Sequence, residues 1–134
     1  MHTASELAPL RQRDGRYRGI PLHLHRVTIA TDVFDITALK DAAALLDDAE
    51  FVRECEKTDR LPYGFEIWPA SLMLAEHLYR NEPGQGRRAI ELGCGVGLVS
   101  IVAARTGWHI LATDCDPVAL QFAEFNAAAN AVEM

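Results

Sequence analysis

From Ile20 to Phe34 apolar and polar residues alternate, which predicts one or two extended segments with Val27, Ile29 and Val33 on a common face. The pattern then shifts to an Ala- and Leu-rich run, Ala38 to Leu46, predicted as a short helix with Thr37 at its N-cap. Asp47 and Glu50 have the spacing of a capping box and predict a second helix to about Lys57. Leu61-Pro62-Tyr63-Gly64 breaks this section off. Beyond it, Pro69 suits a first helical position, and Leu72, Leu74, Ala75 and Leu78 predict an apolar stripe on a helix ending near Tyr79. After a polar loop over 81–86, Ala89 to Leu92 reads as a short buried strand. Leu98 to Arg105 reads as a helix ending near Gly107, and His109 to Thr113 as a second buried strand. Asp116-Pro117 opens a last helix packed through Ala119, Leu120, Phe122, Ala123 and Ala127. Helices alternating with buried strands predict an α/β fold with parallel strands.

The chain has 134 residues, is 49% hydrophobic and carries a net charge of −6, values that suit one folded unit and exclude disorder. The breaker divides it into an amino-terminal extension of strands and short helices, residues 1–61, and an α/β section, residues 62–134. The acidic balance argues against a nucleic-acid partner, although Arg11, Arg13, Arg16 and Arg18 are closely spaced. That stretch, residues 1–19, is expected to be a solvated terminus. His23 and His25 would share a strand face, but no third ligand is near them, so no metal site is predicted. Cys55, Cys94 and Cys115 form no CxxC pair, which points to reduced thiols. The amino terminus lacks the apolar core of a signal peptide, and the longest apolar stretch, around Val96 to Ala104, is too short for a bilayer. A cytoplasmic protein without a membrane partner is expected.

The chemistry concentrates in Glu91-Leu92-Gly93-Cys94-Gly95-Val96-Gly97. A strand feeding a glycine turn and then a helix makes a nucleotide-type site, because glycines allow close backbone approach and a helix start offers N–H donors. Asp114, 23 residues beyond Glu91 at the end of the next strand, is placed to accept hydrogen bonds from a ribose diol. A dinucleotide fingerprint, GxGxxG, would need a third glycine at position 98, which is Leu98; the spacing here is GxGxG. Glu91, two residues before the first glycine, would repel a pyrophosphate and attract an ammonium group. S-adenosylmethionine has a ribose, an α-amino group and a sulfonium, and no phosphate. No GK[ST] follows the turn, which excludes a P-loop. A branched side chain at Gly95 is expected to press against the ligand.

The stretch from Pro62 to about Val132 resembles class I S-adenosylmethionine-dependent methyltransferases, and among them the seven-β-strand group that contains protein-lysine methyltransferases. The resemblance is carried by Tyr63-Gly64-Phe65-Glu66-Ile67-Trp68-Pro69-Ala70-Ser71 with Leu74-Ala75, by the glycine turn, by Ala112-Thr113-Asp114, and by Asn126 to Asn130. It implies a Rossmann-like sheet and S-adenosyl-L-methionine as cofactor. It places Glu91 near the methionine end, the backbone of Gly93, Cys94 and Gly95 along the ligand, Asp114 on the ribose and Trp68 beside the cofactor. With Gly97, these are the candidate cofactor-binding residues.

Simpler roles compete. Asp114 could cap the helix at Pro117, although Asp116 lies closer; Trp68 could be a core aromatic. Cys94 reads as a small space-filler, and Cys115 and His109 as structural. The family's sheet has seven strands and this sequence supplies the first two, so an incomplete sheet is expected, with an apolar edge at Ala89 to Leu92 prone to self-association. Catalytic residues are expected beyond Met134, and the chain alone is expected to be inactive. Methyl transfer to a protein side chain, lysine in particular, or to a small molecule is the leading reading. A nicotinamide-dependent oxidoreductase half-domain and a non-catalytic methyltransferase-like binding module are the alternatives.

Overall fold

A computed structural model describes residues 15–134. Arg11 and Arg13 of the arginine-rich stretch lie outside the described residues. The described part of that stretch, residues 15–19, is not a loose terminus. Strand β1 (Arg16–Tyr17) turns through Arg18 and Gly19, both at positive φ, into β2 (Ile20–Ile29), as the twist of a tight hairpin requires. Tyr17 is fully buried. The Arg18 guanidinium, also buried, bonds Asp48 at 3.0 Å and Glu54 at 2.9 Å.

Strand β3 (Asp32–Leu39) returns antiparallel to β2, with Val27 opposite Phe34 and Thr28 opposite Val33. Residues directly opposite share a face, so Val33 is on the outer side, 54% exposed, and does not join Val27 and Ile29. Phe34, Ile36 and Ala38 supply the buried face instead. Thr37 therefore lies within a strand and caps no helix. The Ala-rich run that follows forms only a 3-10 segment, Ala42–Asp47. The cap of helix α1 (Ala49–Thr58) is Asp48, one residue later than Asp47: its carboxylate accepts from Glu50 N at 2.9 Å and Phe51 N at 3.1 Å. Those backbone bonds and Arg18 hold the Asp48 carboxyl below the usual range.

A short 3-10 turn, Tyr63–Phe65, leads to helix α2 (Pro69–Asn81) with Pro69 in its first turn. Strand β4 (Arg88–Leu92), helix α3 (Leu98–Arg105), strand β5 (His109–Thr113) and helix α4 (Pro117–Ala129) complete the order. β4 and β5 pair in parallel, Arg88 opposite His109 through Leu92 opposite Thr113. The expected parallel α/β unit is present, and the glycine turn sits at the carboxyl end of β4, where open parallel sheets bind ligands.

One hydrophobic core runs through both sections. Tyr17, Phe65 and Phe122 form its centre, with ring centroids 5.5 to 6.5 Å apart. Helix α4 is joined to β3 by two asparagines. Asn126 exchanges both backbone bonds with Thr37, and Asn130 does the same with Asp35, all between 2.8 and 3.0 Å. The two amides stand in for a neighbouring strand and satisfy the β3 edge.

Two expectations of burial are corrected. β4 and β5 are covered on one face only: Ile90, Leu92 and Leu111 are 64%, 84% and 55% exposed. On α2 only Ala75 of the predicted stripe is fully buried, while Leu72 and Leu74 are exposed. Among the described residues no strand lies on the free side of β4. A wide concavity of about 890 Å³ opens along this uncovered sheet, between Ile90, Leu111 and Met134. Its shape is that of a bare sheet face, and it lies apart from the residues that carry chemistry. No described helix is long and apolar enough to cross a membrane.

Candidate cofactor site

A cleft of about 520 Å³, within the size range of small-molecule sites, lies over the carboxyl ends of β4 and β5. Of the seven residues singled out from sequence, Trp68, Glu91, Gly93, Cys94, Gly95 and Asp114 all border it. Gly97 does not. A Cβ there would lie 2.9 Å from the Ala123 Cβ, so Gly97 allows α3 and α4 to approach closely.

Three backbone donors of the glycine turn are spent inside the protein. Cys94 N bonds Thr113 O at 2.9 Å, Gly97 N bonds Cys94 O at 2.9 Å, and Gly95 N bonds the Asp114 Oδ2 at 2.9 Å. An anion-binding turn would aim those groups at the ligand. Carboxylates take their place at this cleft. Glu91 is half-buried and accepts a hydrogen bond from Ser100 Oγ. Burial, with the nearby Asp114 charge adding to it, pushes its carboxyl above the ordinary glutamate range even though the Ser100 bond pulls it back down.

Asp114 has two structural duties: besides Gly95, its Oδ1 accepts from Asp116 N at 2.9 Å. Asp116, not Asp114, caps α4, accepting from Val118 N at 2.8 Å. Each Asp114 oxygen retains a second acceptor site. Trp68 is 43% exposed and is not a core aromatic. Its Nε1 donates to Tyr63 O at 2.7 Å and its ring meets Tyr63 edge-on at 5.5 Å, which holds the indole against the cleft.

Cys94 is buried, and burial reinforced by Glu91 and Asp114 pushes its thiol up to about 12, so it is no nucleophile at neutral pH. The glycines differ in what a side chain would meet. A Cβ at Gly93 would have nothing within 4 Å, whereas one at Gly95 would lie 3.2 Å from Gly64 O. A side chain on Gly95 would therefore first meet Gly64, which also borders the cleft, whereas one on Gly93 would enter open space.

Sequence reasoning missed Arg60, whose Nη1 donates to Cys115 O and ties the amino-terminal section to the end of β5. Asn126, named only within the family resemblance, has a role that the sequence did not give: its Nδ2 donates to Val96 O at 2.8 Å and anchors the glycine turn to α4. Among the described residues no group of three or more His, Cys, Asp or Glu is arranged to hold a metal.

Residues 71–134 match the family model for ribosomal protein L11 methyltransferase (PrmA). Similar proteins include protein-lysine methyltransferase METTL21E of Bos taurus, 39% identical over 82 residues, 59% of this chain and 27% of that protein. Protein N-lysine methyltransferase METTL21A of Danio rerio is 38% identical over 80 residues, 59% of this chain and 36% of its own length. EEF1A lysine methyltransferase 3 of Mus musculus is 39% identical over 72 residues, 53% of this chain and 31% of its own. The chain thus spans about a third or less of the curated relatives it matches. With a parallel strand–glycine turn–helix unit, two carboxylates at the strand ends and these matches together, the chain is similar to class I methyltransferases, and within that class to the protein-lysine methyltransferases.

Proposed function

We propose that this chain forms the cofactor-binding part of an S-adenosyl-L-methionine-dependent methyltransferase whose acceptor is a protein side chain, lysine in particular. The observation that carries the cofactor assignment is the inversion of an anion site: the amides of Cys94, Gly95 and Gly97 are engaged internally, and the carboxylates of Glu91 and Asp114 border the cleft instead. A pyrophosphate would meet negative charge there. A ligand with an ammonium group and a ribose diol would meet acceptors. The residues present fit such a ligand, since Gly93 leaves open space beside the turn and Glu91 is a partly desolvated carboxylate.

When bound, S-adenosylmethionine supplies an activated methyl group on a sulfonium that is already a good leaving group. The protein's task is then alignment and exclusion of water. Ionised Glu91 would hold the ammonium end, Asp114 would accept from the ribose hydroxyls, and Trp68 would shield one side. Protein-lysine specificity is supported by the names of the similar proteins METTL21E and METTL21A. Three free cysteines, of which Cys115 is exposed, suit a reducing, cytoplasmic compartment.

Calorimetric titration with S-adenosylmethionine, its demethylated product and NAD tests the reading. Binding of the first two without NAD is expected. Heat from NAD alone would replace this function with the oxidoreductase alternative.

A further inference from the structure

We propose that Gly64 is a positioning residue of the cofactor cleft: it lets the Tyr63–Phe65 turn seat directly on the glycine turn, and so sets the gap between Trp68 and Asp114. The inference rests on the cofactor reading above and deepens it.

Three observations converge on this residue. The turn that contains Gly64 also holds Trp68, because Tyr63 O accepts the indole N–H and the Tyr63 ring packs edge-on against the indole. Gly64 O in turn lies 3.2 Å from where a Cβ on Gly95 would stand, so the two glycines lie next to each other with no room for a side chain between them. Gly95 N is held by Asp114. A continuous path of contacts therefore runs from Trp68 through Tyr63, Gly64 and Gly95 to Asp114, and both of its ends border the cleft.

Gly64 has no positive φ to explain a glycine. Space explains it: a Cβ there would lie 3.1 Å from the Cβ of Ala119 on α4 and 3.8 Å from the Gly95 Cα. Because α4 lies behind the turn and is fixed by Phe122 in the core and by the Asn126 bonds to Thr37 and Val96, an added methyl would push the turn away from α4. Trp68 would move with it while Asp114 stayed in place. A close-packed interior transmits such a shift instead of absorbing it.

The test uses Gly64→Ala, Ala119→Gly and the double substitution in the full chain. It reads affinity for the demethylated cofactor product, melting temperature, and the NMR resonances of the Trp68 indole N–H and the Gly95 amide. Gly64→Ala is expected to weaken binding by roughly fivefold to tenfold, a size typical of mild overpacking, and to move both resonances. In the double variant Ala119→Gly returns the space, so affinity and resonances are expected to recover. The melting temperature should stay low, because glycine inside a helix is destabilising. A merely structural role would move melting temperature alone. Unmoved resonances in Gly64→Ala, or affinity lost without recovery in the double variant, overturn the inference. If the parent chain binds no product while the resonances shift and recover, the cofactor reading fails and the role of Gly64 in setting the cleft stands.

Discussion

Asp114 is the residue at which stability and ligand binding are most closely joined, and Asp114→Ala separates them only with care. Its two oxygens each accept one backbone N–H at 2.9 Å, from Gly95 and Asp116. Hydrogen bonds to a charged acceptor contribute about 1.5–3 kcal/mol when buried. Asp114 is half-buried, so about 1 kcal/mol for each bond is the better figure, or a loss of about 2 kcal/mol in all. For a chain of this length that lowers Tm by roughly 6–10 °C. Loss of the ribose bonds should add a tenfold to hundredfold fall in affinity for the demethylated product, roughly 1.4–2.8 kcal/mol.

Displacement of the glycine turn could weaken binding by itself, so a ligand lacking one ribose hydroxyl closes a thermodynamic cycle. The parent should bind the deoxy ligand more weakly than the full one, and Asp114→Ala should bind the two alike. Calorimetry on the four combinations measures the coupling. An equal deoxy penalty in both proteins would refute the ribose assignment and leave Asp114 as a brace for the turn.

Glu91 gives a pH signature: its carboxyl is raised in the folded state, so the native chain holds a proton that the unfolded chain has lost, and stability should fall as pH rises from the ordinary glutamate range through the raised value. Denaturant titrations of Glu91→Gln should lack that fall, and product affinity, which should climb over the same window in the parent, should be low and flat in the variant. Gly93→Ala should cost about 1 kcal/mol for its positive φ of 73° and weaken product binding, because its methyl enters open space beside the turn. Gly95→Ala should lower Tm further, since its methyl meets Gly64 O; a larger Tm loss in Gly93→Ala would contradict this. Timed alkylation at pH 8 followed by mass spectrometry should modify exposed Cys115 first, and Cys55 and Cys94 slowly, with early labelling of Cys94 as the contrary result. Sedimentation velocity should show concentration-dependent association that Leu92→Lys reduces, as expected of an uncovered apolar sheet face.

The site was more legible in the sequence than the amino-terminal layer, for a physical reason. The Glu91–Gly97 turn and Asp114 follow from local spacing, because a strand, a tight turn and a helix fix their own geometry within a few residues. The run Ala38 to Leu46 has helix-forming composition, yet Ala38 and Leu39 are held in β3 by pairing with His23 and Leu22. Cross-strand pairing there overrides propensity. Asp47 and Asp48 are the same residue type side by side, and only the observed bonds to Glu50 and Phe51 choose between them. Val33 was misplaced because facing depends on register, which the turn at Ala30 sets. Gly64 reads locally as part of a breaker, but its packing role is hidden in the sequence, since the atom that demands a glycine belongs to Ala119, far along the chain.

Helix α4 explains how such distant residues come to act on one cleft. Ala119, Ala123, Asn126 and Asn130 follow one another at steps of four, three and four, and so lie on one face of the helix. Along that face Ala119 receives Gly64, Ala123 receives Gly97, Asn126 binds Val96 O and both backbone groups of Thr37, and Asn130 binds those of Asp35. The two alanines allow backbone to pack closely where the cofactor turn must sit. The two asparagines supply bonds where the hairpin edge would otherwise be unsatisfied. Small residues towards one end and amides towards the other thus hold the glycine turn and the β2–β3 hairpin against a single rigid element. The amino-terminal layer is therefore part of what shapes the cleft, although among the described residues its direct contributions to the lining come at and after the end of α1, from Asp59 onward.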